Sequence, residues 1–294
     1  MLQTEGRATQ QGRTLAYEPS ELDIDGARRL RWYREVGVVL AFYALYSLVR
    51  NQFGSASVSP RQAYGNALRV IDIERSFDLF VEHRIQRVLL GFEPLIKSLN
   101  VFYGTLHFIV TIGVLVLLFR RAPRRYRQWR TTLGVTTGLA LVGFSLFPLM
   151  PPRLLNDFGP FGGRSIDYRF VDTLEAVGGL WSFNSDAMKS VSNQYAAMPS
   201  LHVAWALWCA CALMPFFRSV GARILLASYP VVTVFAVIVT GNHYWLDAVA
   251  GATVLGIGWV SALAVQAAIE RWRRPRSGAD HHPVAVGTIA SEGA

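Results

Sequence analysis

Two histidines stand where chemistry could be done. His202 lies three residues after Pro199 in Met198-Pro199-Ser200-Leu201-His202, and His243 lies four residues before Asp247 in Gly241-Asn242-His243-Tyr244-Trp245-Leu246-Asp247. Pro and Ser are common at helix amino termini, where free N–H groups and the helix dipole favour an anion, so the first segment predicts a phosphate-ready helix start. In the second, Gly241 is expected to end one helix and Asn242 to cap the next, with His243 and Asp247 on one face. A carboxylate one turn along fixes the imidazole tautomer and makes the other nitrogen a better nucleophile. Arg153, after Pro151-Pro152, could grip a phosphoryl group with two hydrogen bonds and stabilise the charge that spreads over its oxygens. Singly, each residue has a plainer reading: a helix-packing histidine, an interfacial arginine, a helix-stabilising pair. Jointly they supply the nucleophile, acid and cation of phosphoryl transfer.

The elements that must position them are membrane helices. Of 294 residues, 52% are hydrophobic and 17% charged, with mean hydropathy +0.28. The net charge of +9 comes mostly from arginines clustered between apolar runs, a topology pattern that argues against nucleic acid as a partner. Cys209 and Cys211 are too close to bridge and lack further ligands, which excludes a disulfide framework or structural zinc. Six spans are expected, at roughly 33 to 49, 98 to 119, 131 to 150, 199 to 217, 223 to 241 and 244 to 269. Residues 1–32 form a polar amino-terminal segment, 33–270 the membrane domain and 271–294 a disordered tail. Arg120, Arg121, Arg124, Arg125, Arg127 and Arg130 between spans two and three mark the cytoplasmic side. Both termini are then cytoplasmic, in a cell membrane, and the connections at about 50 to 97 and 151 to 198 lie outside. Arg153, His202 and His243 all fall at outer ends of spans.

The first outer connection predicts an amphipathic helix on the outer surface. Val70, Ile73, Phe77, Phe80, Val81, Ile85 and Val88 recur at helical spacing, opposite Asp72, Arg75, Glu82, His83 and Gln86. The second outer connection, punctuated by Gly and Pro and carrying Trp181 and Phe183, is expected to fold over the bundle. Small residues, Gly134 with Gly138 and Ala248, Gly251 and Gly256, predict close helix approaches. Span two carries a polar stripe of Asn100, Tyr103, His107 and Thr111, with His107 about 13 Å in from the outer end at 1.5 Å per residue. Ionisable groups at that depth usually face the protein interior.

Pro199-Ser200-Leu201-His202 resembles the second motif of the type 2 phosphatidic acid phosphatase superfamily, and His243 with Asp247 resembles the core of its third. The run from Asn193 to His202, the Pro151-Pro152-Arg153 turn and Thr240-Gly241-Asn242-His243-Tyr244 look most like the inositol phosphorylceramide synthase, or aureobasidin-resistance, branch, over roughly residues 64 to 265. The resemblance implies an all-α integral membrane protein and a phosphohistidine on His243 oriented by Asp247. It further implies that His202 is the acid and then the base, and that Ser200 and Arg153 hold the phosphoryl oxygens. It extends to Tyr103, His107 and Asn193 as pocket residues. Where the superfamily's third motif opens Ser-Arg this chain has Ala236 and Val237, and its first-motif lysine is Leu146 here, so fewer cations are present.

The function expected is a lipid phosphatase or phosphotransferase, cleaving a phosphoester or diphosphate of a membrane lipid, with water or an alcohol as acceptor. No cofactor and no metal is expected, because the outer ends of spans four to six lack a carboxylate cluster. A lipid-linked glycosyltransferase, suggested by Asp72 and Glu74, leaves both histidine motifs unexplained. Haem ligation or proton transport by paired membrane histidines leaves the Asp247 partnership unexplained.

Overall fold

The computed structural model describes residues 31–53, 59–156, 168–179 and 194–273, and these are all-helical apart from turns, loops and a single bridge between Leu149 and Ala196. The elements are α1 (Trp32–Phe53), α2 (Pro60–Ser76), α3 (Glu82–Leu90) and α4 (Glu93–Val101). A wider turn, Phe102–Leu106, joins α4 to α5 (His107–Arg121). Then follow α6 (Pro123–Leu146), the short α7 (Thr173–Ala176), α8 (Leu201–Leu213), α9 (Val220–Val239) and α10 (Trp245–Arg273).

Three stretches are long and apolar enough to cross a membrane by length and composition: Glu93–Arg121, Val220–Val239 and Trp245–Trp272. Their outer faces leave large apolar side chains uncovered, among them Ile109, Ile112, Ile224, Leu225, Ile257 and Val260. A surface of this kind suits lipid. The other regions expected to span are helical too, with different bounds. Helix α6 starts at Pro123, within the arginine cluster, and stops at Leu146 because Pro148 cannot continue it. Helix α8 stops at Leu213, where Pro215 turns the chain through Met214–Phe216.

Helix α8 is central, packing on α5, α6, α9 and α10, while α6 and α10 form the most extensive helix pair. Lipid tails are as apolar as leucine, so helices in a membrane associate through close packing and hydrogen bonds. A Cβ on Gly251 would lie 2.4 Å from the Ser200 carbonyl oxygen, and one on Gly258 would lie 2.3 Å from Thr136 Oγ1. A Cβ on Gly143 would meet Pro199 Cδ at 2.7 Å. Of the glycines singled out from sequence, Gly251 makes a close approach, but Gly134, Gly138 and Gly256 have nothing within 4 Å. Those three face open space, so spacing alone misassigned the contact.

The arginine-rich end of the bundle is tied by side chains. Glu35 on α1 accepts from Arg130 and from Tyr126 on α6, and Arg125 donates to the carbonyl of Ala212 at the end of α8. At the opposite end α2 and the connections build a second core of Tyr64, Val70, Ile71, Leu149, Met150 and Tyr244 with their neighbours.

The expected single amphipathic helix is two helices, α2 and α3, broken at Phe77–Val81, where Asp78 takes a φ of 56°. Its facing is also partly reversed. Glu82 and Gln86, expected toward solvent, are fully buried, whereas Ile73, Phe77 and Val88 are exposed. Gln86 is fully satisfied in its buried position: it donates to the carbonyls of Val171 and Val239 and accepts from Val171 N–H.

Gly251→Ala should overpack the α8–α10 contact, lowering stability by about 1–3 kcal/mol, read as a fall in melting temperature in detergent. Gly256→Ala should leave the melt where it is. Equal falls from both would show that the close approach at Gly251 is not what holds the pair.

Candidate active site

Helix α8 begins at Ser200, whose side chain accepts from Val203 N–H at 3.5 Å and whose own N–H donates to the carbonyl of Asp247 at 2.9 Å. That bond fastens the start of α8 to the first turn of α10. His202 sits in the first turn of α8. Helix α9 ends at Val239, and Gly241 turns the chain with a φ of 68°, a conformation that favours glycine. A Cβ there would crowd Gln86 Nε2 at 3.1 Å and Arg153 Cβ at 3.3 Å, and the Gly241 carbonyl accepts Arg153 N–H at 2.8 Å.

His243 follows, 4% exposed, with its Nδ1 3.1 Å from Asp247 Oδ2. Asp247 Oδ2 also accepts Tyr244 N–H at 2.9 Å, so Asp247, not Asn242, satisfies the start of α10. Asn242 is otherwise engaged: its Oδ1 accepts from Arg153 Nε at 3.1 Å and its amide donates to Thr240 Oγ1 at 2.8 Å. With the Nδ1 proton held by Asp247, the unshared pair of His243 is on Nε2. The rings of His243 and His202 are 5.7 Å apart between centroids. Two imidazoles at this separation can act on one phosphoryl group, one attacking phosphorus and the other reaching a leaving oxygen.

The other face of His202 is covered from the wide turn Phe102–Leu106 and the first residue of α5. Tyr103 stacks on it at 4.2 Å, and His107 lies 4.2 Å away, its Nδ1 3.0 Å from the Tyr103 carbonyl. Both residues belong to or adjoin the wide turn Phe102–Leu106, a local feature common at functional sites. The polar stripe of span two does face inward, but it divides. Tyr103 and His107 meet His202, whereas Asn100 donates to the carbonyls of Thr173 and Gly178, and Thr111 meets Cys209. Asn193 lies outside the described residues, as do Trp181 and Phe183.

Arg153 is 8% exposed and pairs with Asp172 at 2.5 Å. Asp172 also caps α7, accepting from Leu174 and Glu175 N–H. Sequence reading missed Asp172, although Asp172-Thr173-Leu174-Glu175 has the form of a helix-start signature. At the positions where the resemblance implies a serine, an arginine and a lysine, Ala236 and Val237 are buried in α9 and Leu146 is exposed on α6.

The second omission is a buried carboxyl pair. Glu74 Oε1 accepts Leu246 N–H at 2.9 Å and Glu82 Oε1 accepts Trp245 N–H at 3.4 Å, so both serve the amino terminus of α10, where the dipole favours negative charge. Their Oε2 atoms have no other donor among the described residues, and the two carboxyls face one another. Burial, then the neighbouring carboxyl, pushes Glu74 up from 4.5 to about 9, and burial raises Glu82 as well. The pair therefore shares a proton at neutral pH. The only trace in the sequence is acidic residues at one end of a stretch whose opposite face could meet lipid.

An all-helical chain with membrane-length apolar helices, and a buried histidine–aspartate pair facing a second histidine at a helix start, defines a class of membrane protein suited to acid–base and nucleophilic work on an anion. The model of the PAP2 superfamily matches residues 68–261, and the chain belongs to that superfamily, whose members are phosphatase-type enzymes acting on phosphate esters. No curated protein and no solved structure matches the chain. Among the described residues no group of three His, Cys, Asp or Glu side chains is arranged to hold a metal ion.

The carboxyl pair gives a pH dependence with a definite sign. A carboxyl whose folded pKa is raised contributes stability below its unfolded value of 4.5 and loses that contribution as pH rises through about 9. The melting temperature should fall between pH 5 and pH 9, and Glu74→Gln, which needs no proton, should flatten that fall. An unchanged slope in the variant would show that Glu74 does not carry the proton.

Proposed function

We propose that the protein is a metal-independent lipid phosphatase or phosphotransferase of the inositol phosphorylceramide synthase-like branch, working through a phosphohistidine on His243 at the outer face of the cell membrane. The observation that carries the reading is the 3.1 Å contact of His243 Nδ1 with Asp247, which leaves Nε2 on the ring beside His202. In the first step His243 Nε2 attacks phosphorus, the bond to the leaving oxygen breaks, and His202 delivers a proton to that oxygen. In the second, His202 takes a proton from water or an alcohol, whose oxygen displaces His243. Arg153 and the amino terminus of α8, capped by Ser200, hold the phosphoryl oxygens. Tyr103 and His107 bound the pocket around His202, and the family resemblance adds Asn193 as a substrate-binding residue.

Six spans with both termini inside are part of this reading. Supporting it, Glu35 of α1 pairs with Arg130 of α6, which puts the amino-terminal part of α1 at the arginine-rich end. Arg153, His202 and His243 lie at the opposite end, and the arginine-rich end belongs in the cytoplasm.

Incubating purified protein with a panel of phospholipids and prenyl diphosphates and weighing the lipids by mass spectrometry identifies substrate and acceptor. His243→Ala should form no acid-labile phosphoenzyme, and Asp247→Asn should slow its formation by about 10² to 10⁴. His202→Ala should fail on lipids yet still form some phosphohistidine from nitrophenyl phosphate, whose leaving group departs without protonation. Phosphate trapped on His202 in the His243→Ala protein would reverse the two roles.

A further inference from the structure

A second cationic site lies on the face formed by α2, α3 and the segment at Tyr168. Arg75, Arg84, Arg87, Arg169 and His83 line an open cleft of about 710 Å³ together with Asp78, Phe80, Val81 and Tyr168. Four guanidinium groups face one carboxylate, so the cleft carries a large excess of positive charge. Its floor is built rather than incidental. Phe80 packs edge-on against Tyr168 and Phe170, His83 packs against Phe170, and Arg75 lies over the Phe80 ring at 5.1 Å. His83 Nδ1 is buried without a hydrogen-bond partner among the described residues, and burial followed by the nearby arginines lowers its pKa.

The cleft is separate from the place between His202 and His243 but close to it. Asp172, the partner of Arg153, follows Arg169 by three residues, a reach of no more than about 10 Å of extended chain. Gln86, on the same helix as Arg84 and Arg87, bonds the Val239 carbonyl just before the Gly241 turn. The elements that carry the arginines also expose Ile73, Phe77, Leu79, Val88 and Phe92 to their surroundings. A soluble anion needs only the charges. Arginines interleaved with uncovered large apolar side chains suit a surface that meets lipid tails and phosphate headgroups together.

We propose that this cleft binds the phosphate group of an anionic membrane lipid, guanidinium groups pairing with its oxygens while the neighbouring apolar side chains meet the acyl chains. Such a site would hold an anionic lipid by the segment of chain that leads from Arg169 to Asp172, the partner of Arg153. It deepens the functional reading above without depending on turnover, since binding can be measured when no phosphate is transferred.

The test uses the full chain carrying His243→Ala, purified in neutral detergent, with short-chain phosphatidylglycerol, short-chain phosphatidylcholine and inorganic phosphate as separate probes in a direct binding assay. Phosphatidylglycerol should bind more tightly than phosphatidylcholine, and added salt should weaken it. Arg84→Gln with Arg87→Gln, two exposed positions, should weaken phosphatidylglycerol by about tenfold or more with an unchanged melt. Arg75→Gln should weaken it less, and Arg120→Gln with Arg121→Gln at the far end should not. Inorganic phosphate that competes only at millimolar concentration supports the lipid as source, whereas phosphate as tight as the lipid assigns the cleft to the free anion and overturns the lipid proposal. Phosphatidylglycerol binding that is absent, or that the Arg84 and Arg87 changes leave intact, also overturns it. Loss of phosphoenzyme in the unmutated chain alongside intact lipid binding would sink the catalytic reading alone.

Discussion

The structure of the site depends on how the buried amino terminus of α10 is satisfied. A helix start leaves its first N–H groups without partners, and burial makes that costly unless acceptors are supplied. Here Asp247, Glu82 and Glu74 accept from Tyr244, Trp245 and Leu246 in turn. Asp247 does more than cap. Its other contacts hold the Nδ1 side of His243 and, through its backbone carbonyl, the N–H of Ser200. One residue thus sets the tautomer of one histidine and fixes the helix start that carries the other.

Three carboxyl groups around one helix end would repel one another if all were ionised. Burial and mutual repulsion keep a proton on the Glu74–Glu82 pair, which reduces the negative charge crowded around Asp247. The same accounting of buried polar groups explains the irregular backbone around the site. Gln86 satisfies Val171 and Val239, Asn100 satisfies Thr173 and Gly178, and Tyr244 hydroxyl donates to the Met150 carbonyl. Irregular chain beside a membrane domain needs such partners, and each of these side chains reaches a segment more than seventy residues away in sequence.

The reversed facing of α2 and α3 follows from that requirement. On an isolated surface helix the acidic and amide side chains would turn to water and the apolar ones to the protein. Here the protein side offers unpaired N–H and carbonyl groups, so Glu74, Glu82 and Gln86 turn inward. Ile73, Phe77 and Val88 are left outside, next to the arginines of the basic cleft.

Local sequence determined the features whose physical cause is local. Apolar runs gave the long helices of the bundle, Ser200 its helix start, Gly241 its turn, and the four-residue spacing the His243–Asp247 contact. The inward face of span two was legible too, because ionisable groups at that depth are expensive toward lipid. Tertiary structure decided whatever depended on a distant partner. Asp172 is an ordinary helix cap until Arg153 meets it, Asn242 loses its expected capping role to Asp247, and Gly251 but not Gly256 finds another helix against it. Glu74 and Glu82 read as surface acids because nothing near them in sequence announces the N–H groups of α10, which lie more than 160 residues further along the chain. Periodicity reports which face of a helix differs from the other; only the neighbours brought by the fold decide which face is worth burying.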